Sequence, residues 1–134
     1  MPDVELGGGE DVIHGGPGND TIDGGLANDR IFGDAGSDLI IGGYQDDEMT
    51  GGAVDADTFR FLLGSRADRI LDFEDDIDRL EISAAYGFAD GSEVVATATV
   101  SGSDITLHLT VDDTVTLVGF GTDPNALSND IFIV

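Results

Sequence analysis

The chain has 134 residues and a formal net charge of −23, from 28 acidic residues against five arginines and no lysine. This balance argues against nucleic acid and anionic membrane as partners, since both are held by basic patches. It also makes the chain repel itself, so although 40% apolar residues suffice for one modest core, order is expected to depend on something that neutralises the acids. Cysteine is absent, so no disulfide compensates, and no run approaches the ~20 apolar residues of a membrane-spanning helix.

Met1 to Glu5 reads as a lead-in strand, and Met1 to Gly9 has neither the basic nor the apolar region of a signal peptide. The abrupt start of a repeat suggests a module of a larger protein. From Leu6 to Phe61 one nine-residue phrase recurs six times. It runs Gly7-Gly8-Gly9-Glu10-Asp11-Val12-Ile13, then Gly15-Gly16-Pro17-Gly18-Asn19-Asp20-Thr21-Ile22, then Gly24-Gly25-Leu26-Ala27-Asn28-Asp29-Arg30-Ile31. Gly33-Asp34-Ala35-Gly36-Ser37-Asp38-Leu39-Ile40 and Gly42-Gly43-Tyr44-Gln45-Asp46-Asp47-Glu48-Met49 follow, and Gly51-Gly52-Ala53-Val54-Asp55-Ala56-Asp57-Thr58-Phe59 carries one extra residue.

The first six residues of each phrase read as a turn, because glycine tolerates positive φ. The next three read as a short strand with a large apolar residue pointing inward: Ile13, Ile22, Ile31, Ile40, Met49 or Phe59. Three residues make no stable strand alone, so the copies must stack and bury those side chains in rows. One turn of the coil takes two phrases, which makes residues eighteen apart vertical neighbours.

Asp11, Asp29 and Asp47 then pile up along one edge, and Asp20, Asp38 and Asp57 along the other, with successive turns ~5 Å apart. Bare carboxylates at that spacing repel by a few kcal/mol per pair, on the order expected at intermediate dielectric. A divalent cation between turns reverses the sign. Calcium suits such a site, because it accepts six to eight oxygens in loose geometry and each turn offers an aspartate with backbone carbonyls; we expect these from Gly16, Gly18, Gly25, Gly33, Gly36 and Gly43. Magnesium demands a tighter octahedron and should compete poorly.

Four positions depart from the pattern: Leu6, Ala27 and Gln45 replace glycines on the Asp11 edge, and Asp34 replaces one on the Asp20 edge. A non-glycine forced to positive φ costs about 1 to 2 kcal/mol. The expectation is weaker ions on the Asp11 edge and the best-formed site between Asp20 and Asp38. The extra residue at Val54-Asp55 puts the Asp38/Asp57 site in doubt. Thr21, Asp23, Arg30, Glu48 and Thr50 look solvated, whereas Phe32, Leu39 and Ile41 are bulky for outward positions.

From Leu62 to Ser83 glycine thins out but the beat persists at Asp68-Arg69-Ile70 and Asp78-Arg79-Leu80. A helix with Ile70, Phe73, Ile77 and Leu80 on one side competes with two strands, Asp68 to Phe73 and Arg79 to Ile82, around a turn at Glu74-Asp75-Asp76. Strands are preferred, since Asp68 and Asp78 then extend the two columns and act as further ligands. After a loop at 84–92, Val94 to Val100 alternates as a strand. Ile105, Leu107, Leu109 and Val111 form another, and Val115, Leu117 and Phe120 a third, joined as antiparallel hairpins through Ser101-Gly102-Ser103-Asp104 and Asp112-Asp113. Asp123-Pro124-Asn125 precedes a last strand, Ile131 to Val134. His14 and His108 fall on outward positions with no cluster for zinc, and no nucleophile stands at interpretable spacing from a base.

The phrases from Leu6 to Phe61, with Asp68-Arg69-Ile70-Leu71-Asp72-Phe73 and Asp78-Arg79-Leu80-Glu81-Ile82-Ser83, resemble the RTX family, whose β-roll closes similarly in serralysin-type proteases and alginate epimerase R-modules. The resemblance implies an all-β fold, a parallel β-roll over 1–61 continued by a C-terminal antiparallel β-sandwich or hairpin cap over 62–134, as one continuous unit. It implies calcium, about four or more ions, on the aspartates matching Asp11, Asp20, Asp29, Asp38, Asp47 and Asp57. The tail Asn129-Asp130-Ile131-Phe132-Ile133-Val134 is similar to that of type I secretion substrates. The function expected is a non-catalytic module of a secreted bacterial protein that folds on calcium after export. At millimolar calcium and a Kd near ~10⁻⁴ M, each site contributes about 1.4 to 2.7 kcal/mol. A polysaccharide-binding module and an adhesin segment remain the alternatives, although the net charge argues against a polyanionic glycan unless calcium bridges it.

Overall fold

The computed structural model describes residues 3–5, as backbone, and 8–134; Leu6 and Gly7, which open the first phrase, lie outside the described residues. Strands are dealt alternately to two sheets. β1 (Asp3–Glu5), β3 (Thr21–Asp23), β5 (Leu39–Ile41), β7 (Thr58–Phe61) and β9 (Arg79–Ile82) enter one, and β2 (Val12–Pro17), β4 (Arg30–Ala35), β6 (Glu48–Thr50) and β8 (Ala67–Ile70) the other. Neighbours pair in parallel. The register joins residues eighteen apart, Ile13 with Ile31 and Ile22 with Ile40, then widens to nineteen at Ile40 with Phe59 and to twenty-one at Met49 with Ile70. This is the two-phrase coil, a parallel β-roll.

The inward residues form two rows, Ile13, Ile31, Met49 and Ile70 on one sheet, and Ile22, Ile40, Phe59 and Leu80 on the other, each 3% exposed or less. Each fully buried side chain contributes about 1.5 to 3 kcal/mol, available only when the neighbouring turn is in place. Two expectations need correction. β2 and β4 are six residues long and run on into the glycines, with Gly16 opposite Asp34 and Pro17 opposite Ala35. Stacked turns follow the same course, so ladder pairing continues through them and closes with Gly18 N–H donating to the Ala35 carbonyl at 2.7 Å.

The other correction is in the cap. Val94 to Val100 is not one strand: Gly91–Val95 is a helix, α1, with Val94 buried, and β10 (Thr99–Ser101) begins only later. Asp90 accepts the N–H groups of Ser92 (2.9 Å) and Glu93 (3.3 Å), and Glu93 accepts that of Ala89 (2.8 Å). This reciprocal capping starts a helix where alternation alone suggested a strand. β10, β11 (Asp104–His108) and β12 (Thr114–Leu117) are antiparallel, and β12 then joins β8 in parallel, so the hairpins lengthen the β2 sheet. A 3-10 turn at Pro124–Asn129 leads to β13 (Ile131–Ile133), parallel to β9. Helix α1 contacts both β11 and β13 and so bridges the two sheets at the end of the roll. The helical alternative for 70–80 does not occur.

Candidate metal centre

The aspartates form two hydrogen-bonded ladders. On one edge the N–H of Asp11 donates to Asp29 Oδ1 (2.8 Å), that of Asp29 to Asp47 (2.8 Å) and that of Asp47 to Asp68 (2.9 Å). On the other, Asp20 donates to Asp38 (2.8 Å), Asp38 to Asp57 (2.9 Å) and Asp57 to Asp78 (3.0 Å). Asp68 and Asp78 thus stand on the columns despite their longer spacing. The extra residue of the sixth phrase is absorbed in its turn, where Val54 is left-handed and Asp55 accepts the Gly36 N–H at 3.1 Å.

Asp29, Asp38, Asp47, Asp57 and Asp68 each spend one oxygen on holding a rung, whereas Asp78 spends both, its Oδ2 accepting the Glu74 N–H at 2.9 Å. The Oδ2 atoms of Asp29, Asp38, Asp47, Asp57 and Asp68 are buried without a hydrogen-bond partner. Leaving such an acceptor unpartnered costs about 1 to 3 kcal/mol, more for a charged one. Those of Asp29, Asp38, Asp47 and Asp57 lie beside the first glycine of their own phrase. A Cβ on Gly15 would lie 2.9 Å from Asp20 Oδ2 and 2.7 Å from the Gly33 carbonyl one turn on; on Gly24 it would lie 2.7 Å from Asp29 Oδ2 and 2.5 Å from the Gly42 carbonyl. Carboxylate and carbonyl oxygens therefore converge where a side chain is missing. An all-oxygen donor set with loose geometry fits calcium, and the absence of nitrogen or sulfur among these donors disfavours zinc.

Of the glycines singled out above, Gly16, Gly18, Gly25, Gly36 and Gly43 are left-handed, with φ from +93° to +121°, whereas Gly33 is not and serves by lacking a Cβ. A Cβ on Gly36 or Gly43 would strike the Gly18 or Gly25 carbonyl of the preceding turn. Among the described residues the left-handed non-glycines are Ala27, Gln45 and Arg66 on the Asp11 edge and Asp34, Val54 and Asp76 on the Asp20 edge. They divide three and three, so backbone strain alone does not rank the two edges.

Sequence reasoning missed a second ladder of opposite direction. Asn19 Oδ1 accepts from Ser37 N–H (2.9 Å), Asn28 from Asp46 (3.1 Å) and Asp46 from Ala67 (3.1 Å). The signal was there, as Asn or Asp directly before the column aspartate. Other acids reach back to turn N–H groups: Asp34 to Gly16 (3.2 Å), Asp72 to Gly51 and Gly52 (both 2.9 Å), and Glu74 to Val54 (2.8 Å). It also missed Asp113, read as a plain turn residue but 5% exposed and accepting the Gly64 and Arg66 N–H groups. His14 is outward as expected, stacked on Phe32 at 4.6 Å, and His108 meets Thr99 at 2.9 Å.

The electrostatics follow from burial. It pushes the carboxyls of Asp47 and Asp57 up to about 7, Asp68 to about 9 and Asp78 to about 6, and raises Asp29 and Asp38 as well. The accepted backbone N–H groups oppose this, and neighbouring carboxylates reinforce it. Without a cation the columns resist full ionisation near neutral pH. With one, burial becomes an advantage, since water no longer screens the attraction.

Fold and donor set together define a parallel β-roll whose turns suit a hard divalent cation. The family model of the RTX calcium-binding nonapeptide repeat matches residues 4–31 and 23–55, four copies. Two solved structures are similar over nearly the whole chain, both subunits of the Azotobacter vinelandii mannuronan C5-epimerase. The AlgE6R3 subunit is 33% identical with a TM-score of 0.70, over 95% of this chain and 80% of that one. The AlgE6R2 subunit is 32% identical with a TM-score of 0.68, over 99% and 92%. No curated protein matches. The chain belongs to the RTX calcium-binding β-roll family, and it is a calcium-binding module. The repeat match ends before Asp57, whereas the ladders run on to Asp68 and Asp78.

Proposed function

We propose that Asp11, Asp29, Asp47 and Asp68 on one edge, and Asp20, Asp38, Asp57 and Asp78 on the other, hold about four or more calcium ions with carbonyls of the turns, and that these ions drive folding of a non-catalytic module outside the cell. The observation that carries this is the row of buried, unpartnered Oδ2 atoms, with turn carbonyls converging beside those of Asp29 and Asp38. Calcium supplies the positive charge that lets the carboxylates stay ionised inside the roll. Inside a bacterium free calcium is scarce, and a chain of net charge −23 would remain open enough to thread a type I channel. Outside, mass action at each site adds to the stability of the roll, and folding hinders return. Circular dichroism in chelator, magnesium and calcium, followed by counting bound ions, tests it. Equal order in chelator and calcium, or no bound ions, would sink the reading.

A second role, binding an acidic polysaccharide, is favoured by the placement of the arginines. Arg30 and Arg69 flank Glu48 on the outer face of one sheet (3.3 and 2.9 Å), and Arg60 and Arg79 lie on strands of the other, where Arg60 pairs with Glu81 at 2.6 Å. The similar subunits belong to an enzyme named for mannuronan. Titration with labelled mannuronan in calcium should show binding that weakens in Arg30→Ala/Arg69→Ala; no binding would remove this role, and unchanged binding in that variant would remove the arginines from it.

A further inference from the structure

The last turn of the Asp11 column, residues 62–67, contains one glycine, Gly64, and yet Arg66 is left-handed there with φ +65°. On the opposite edge, turn N–H groups are held by acids of the following turn, Gly16 by Asp34 and Gly51 and Gly52 by Asp72. After Asp68 no such rung follows; its neighbour in the sheet is β12, which places Val115 opposite Asp68. Asp113, in the loop before β12, supplies the acceptors instead. Its Oδ2 takes the Gly64 N–H at 2.8 Å and its Oδ1 the Arg66 N–H at 3.1 Å, while the Arg66 carbonyl accepts from Thr114 at 2.7 Å. The Tyr86 hydroxyl proton is shared between Asp113 Oδ2, 2.9 Å away, and the Leu62 carbonyl, with Ser65 Oγ at 3.2 Å. Both ends of the turn, Leu62 and Arg66, are thereby tied to the cap, and Asp68 Oδ2 sits buried and unpartnered just beyond.

We infer that Asp113, together with Tyr86, is a positioning residue for the last cation site of this column, at Asp47 and Asp68. Asp113 acts through the turn that leads into Asp68, whose Gly64 and Arg66 N–H groups it holds. Calcium at that site and docking of the β11–β12 hairpin are then reciprocally coupled, each raising the affinity of the other. The inference rests on the columns being calcium sites. Outer groups that orient metal ligands cost about ten- to a hundredfold in affinity when lost, and a similar effect is expected here.

The test is calorimetric titration of calcium into the full chain as wild type, Asp113→Asn, Asp68→Asn and the double variant. Asp113→Asn should weaken one site about tenfold or more. Asp68→Asn should abolish that same site, and the double variant should bind no fewer ions than Asp68→Asn. Unchanged ion number and affinities in Asp113→Asn, with only a lower melting temperature, would overturn the inference. If Asp113→Asn does not fold at saturating calcium, Tyr86→Phe carries the test, since it keeps the ring and removes the hydroxyl. Weakening of one site supports the assignment, and unaltered affinities overturn it. A wild-type chain that binds no calcium removes the column reading itself, and this inference with it.

Discussion

A methyl group on Gly33 would lie 2.7 Å from the Gly51 carbonyl oxygen and closer still to Asp38 Oδ2. Gly33→Ala should therefore cost about 1 to 3 kcal/mol through overpacking and weaken calcium binding, because the displaced atoms are the donors themselves. Gln45 presents the opposite case. It is exposed, left-handed at φ +82°, and stands where the phrase asks for glycine. Gln45→Gly should stabilise the calcium form by roughly 0.5 to 1 kcal/mol, the relieved strain less the added freedom of the unfolded chain. Urea unfolding in calcium checks both, and a loss on Gln45→Gly would contradict the strain argument. At this scale the repeat residues were legible because six copies show which position must be small. Arg66 and Asp76 were not, since neither looks like a turn glycine and both are held by acids far away, Asp113 and Asp130.

At the scale of the element, every rung up to Asp57 and Asp68 is tied to the next by one carboxylate oxygen and left open by the other. Asp38→Asn keeps the Oδ1 that Asp20 N–H needs and replaces the charged, unpartnered Oδ2. The substitution should have opposite signs in two media: destabilising by about 1 to 3 kcal/mol in calcium, where a ligand charge is lost, and neutral or stabilising in chelator, where repulsion is relieved. Thermal unfolding in both media checks it, and destabilisation of similar size in both would show that Asp38 is only structural. The short parallel strands were readable from period alone. The helix at Gly91–Val95 was misread because Val94, Ala96, Ala98 and Val100 mimic a strand; its start is set by Asp90 and Glu93, a local signal that alternation outweighed.

For the whole molecule the columns make stability depend on pH. Unfolded aspartates titrate near ~4. In the metal-free fold burial holds Asp78 up at about 6, Asp47 and Asp57 at about 7 and Asp68 at about 9. The folded state thus binds more protons, so this contribution is full below the unfolded value and is lost as pH rises through 6 to 9. In chelator the chain should be more ordered and compact at pH 5 than at pH 8, and calcium affinity should fall as pH is lowered through the same window, because each ion displaces protons. Scattering and circular dichroism at both pH values check the sign, and greater compaction at pH 8 in chelator would contradict it. The coil, its two acidic edges and its calcium chemistry could be read from the chain directly, because a nine-residue period repeats the same local demand and stacking is the one way to meet it. The closure of the roll could not. Asp113 reaches Gly64 across 49 residues, β12 joins β8 and β13 joins β9, and such pairings depend on where distant segments meet in space, which no local pattern of residues encodes.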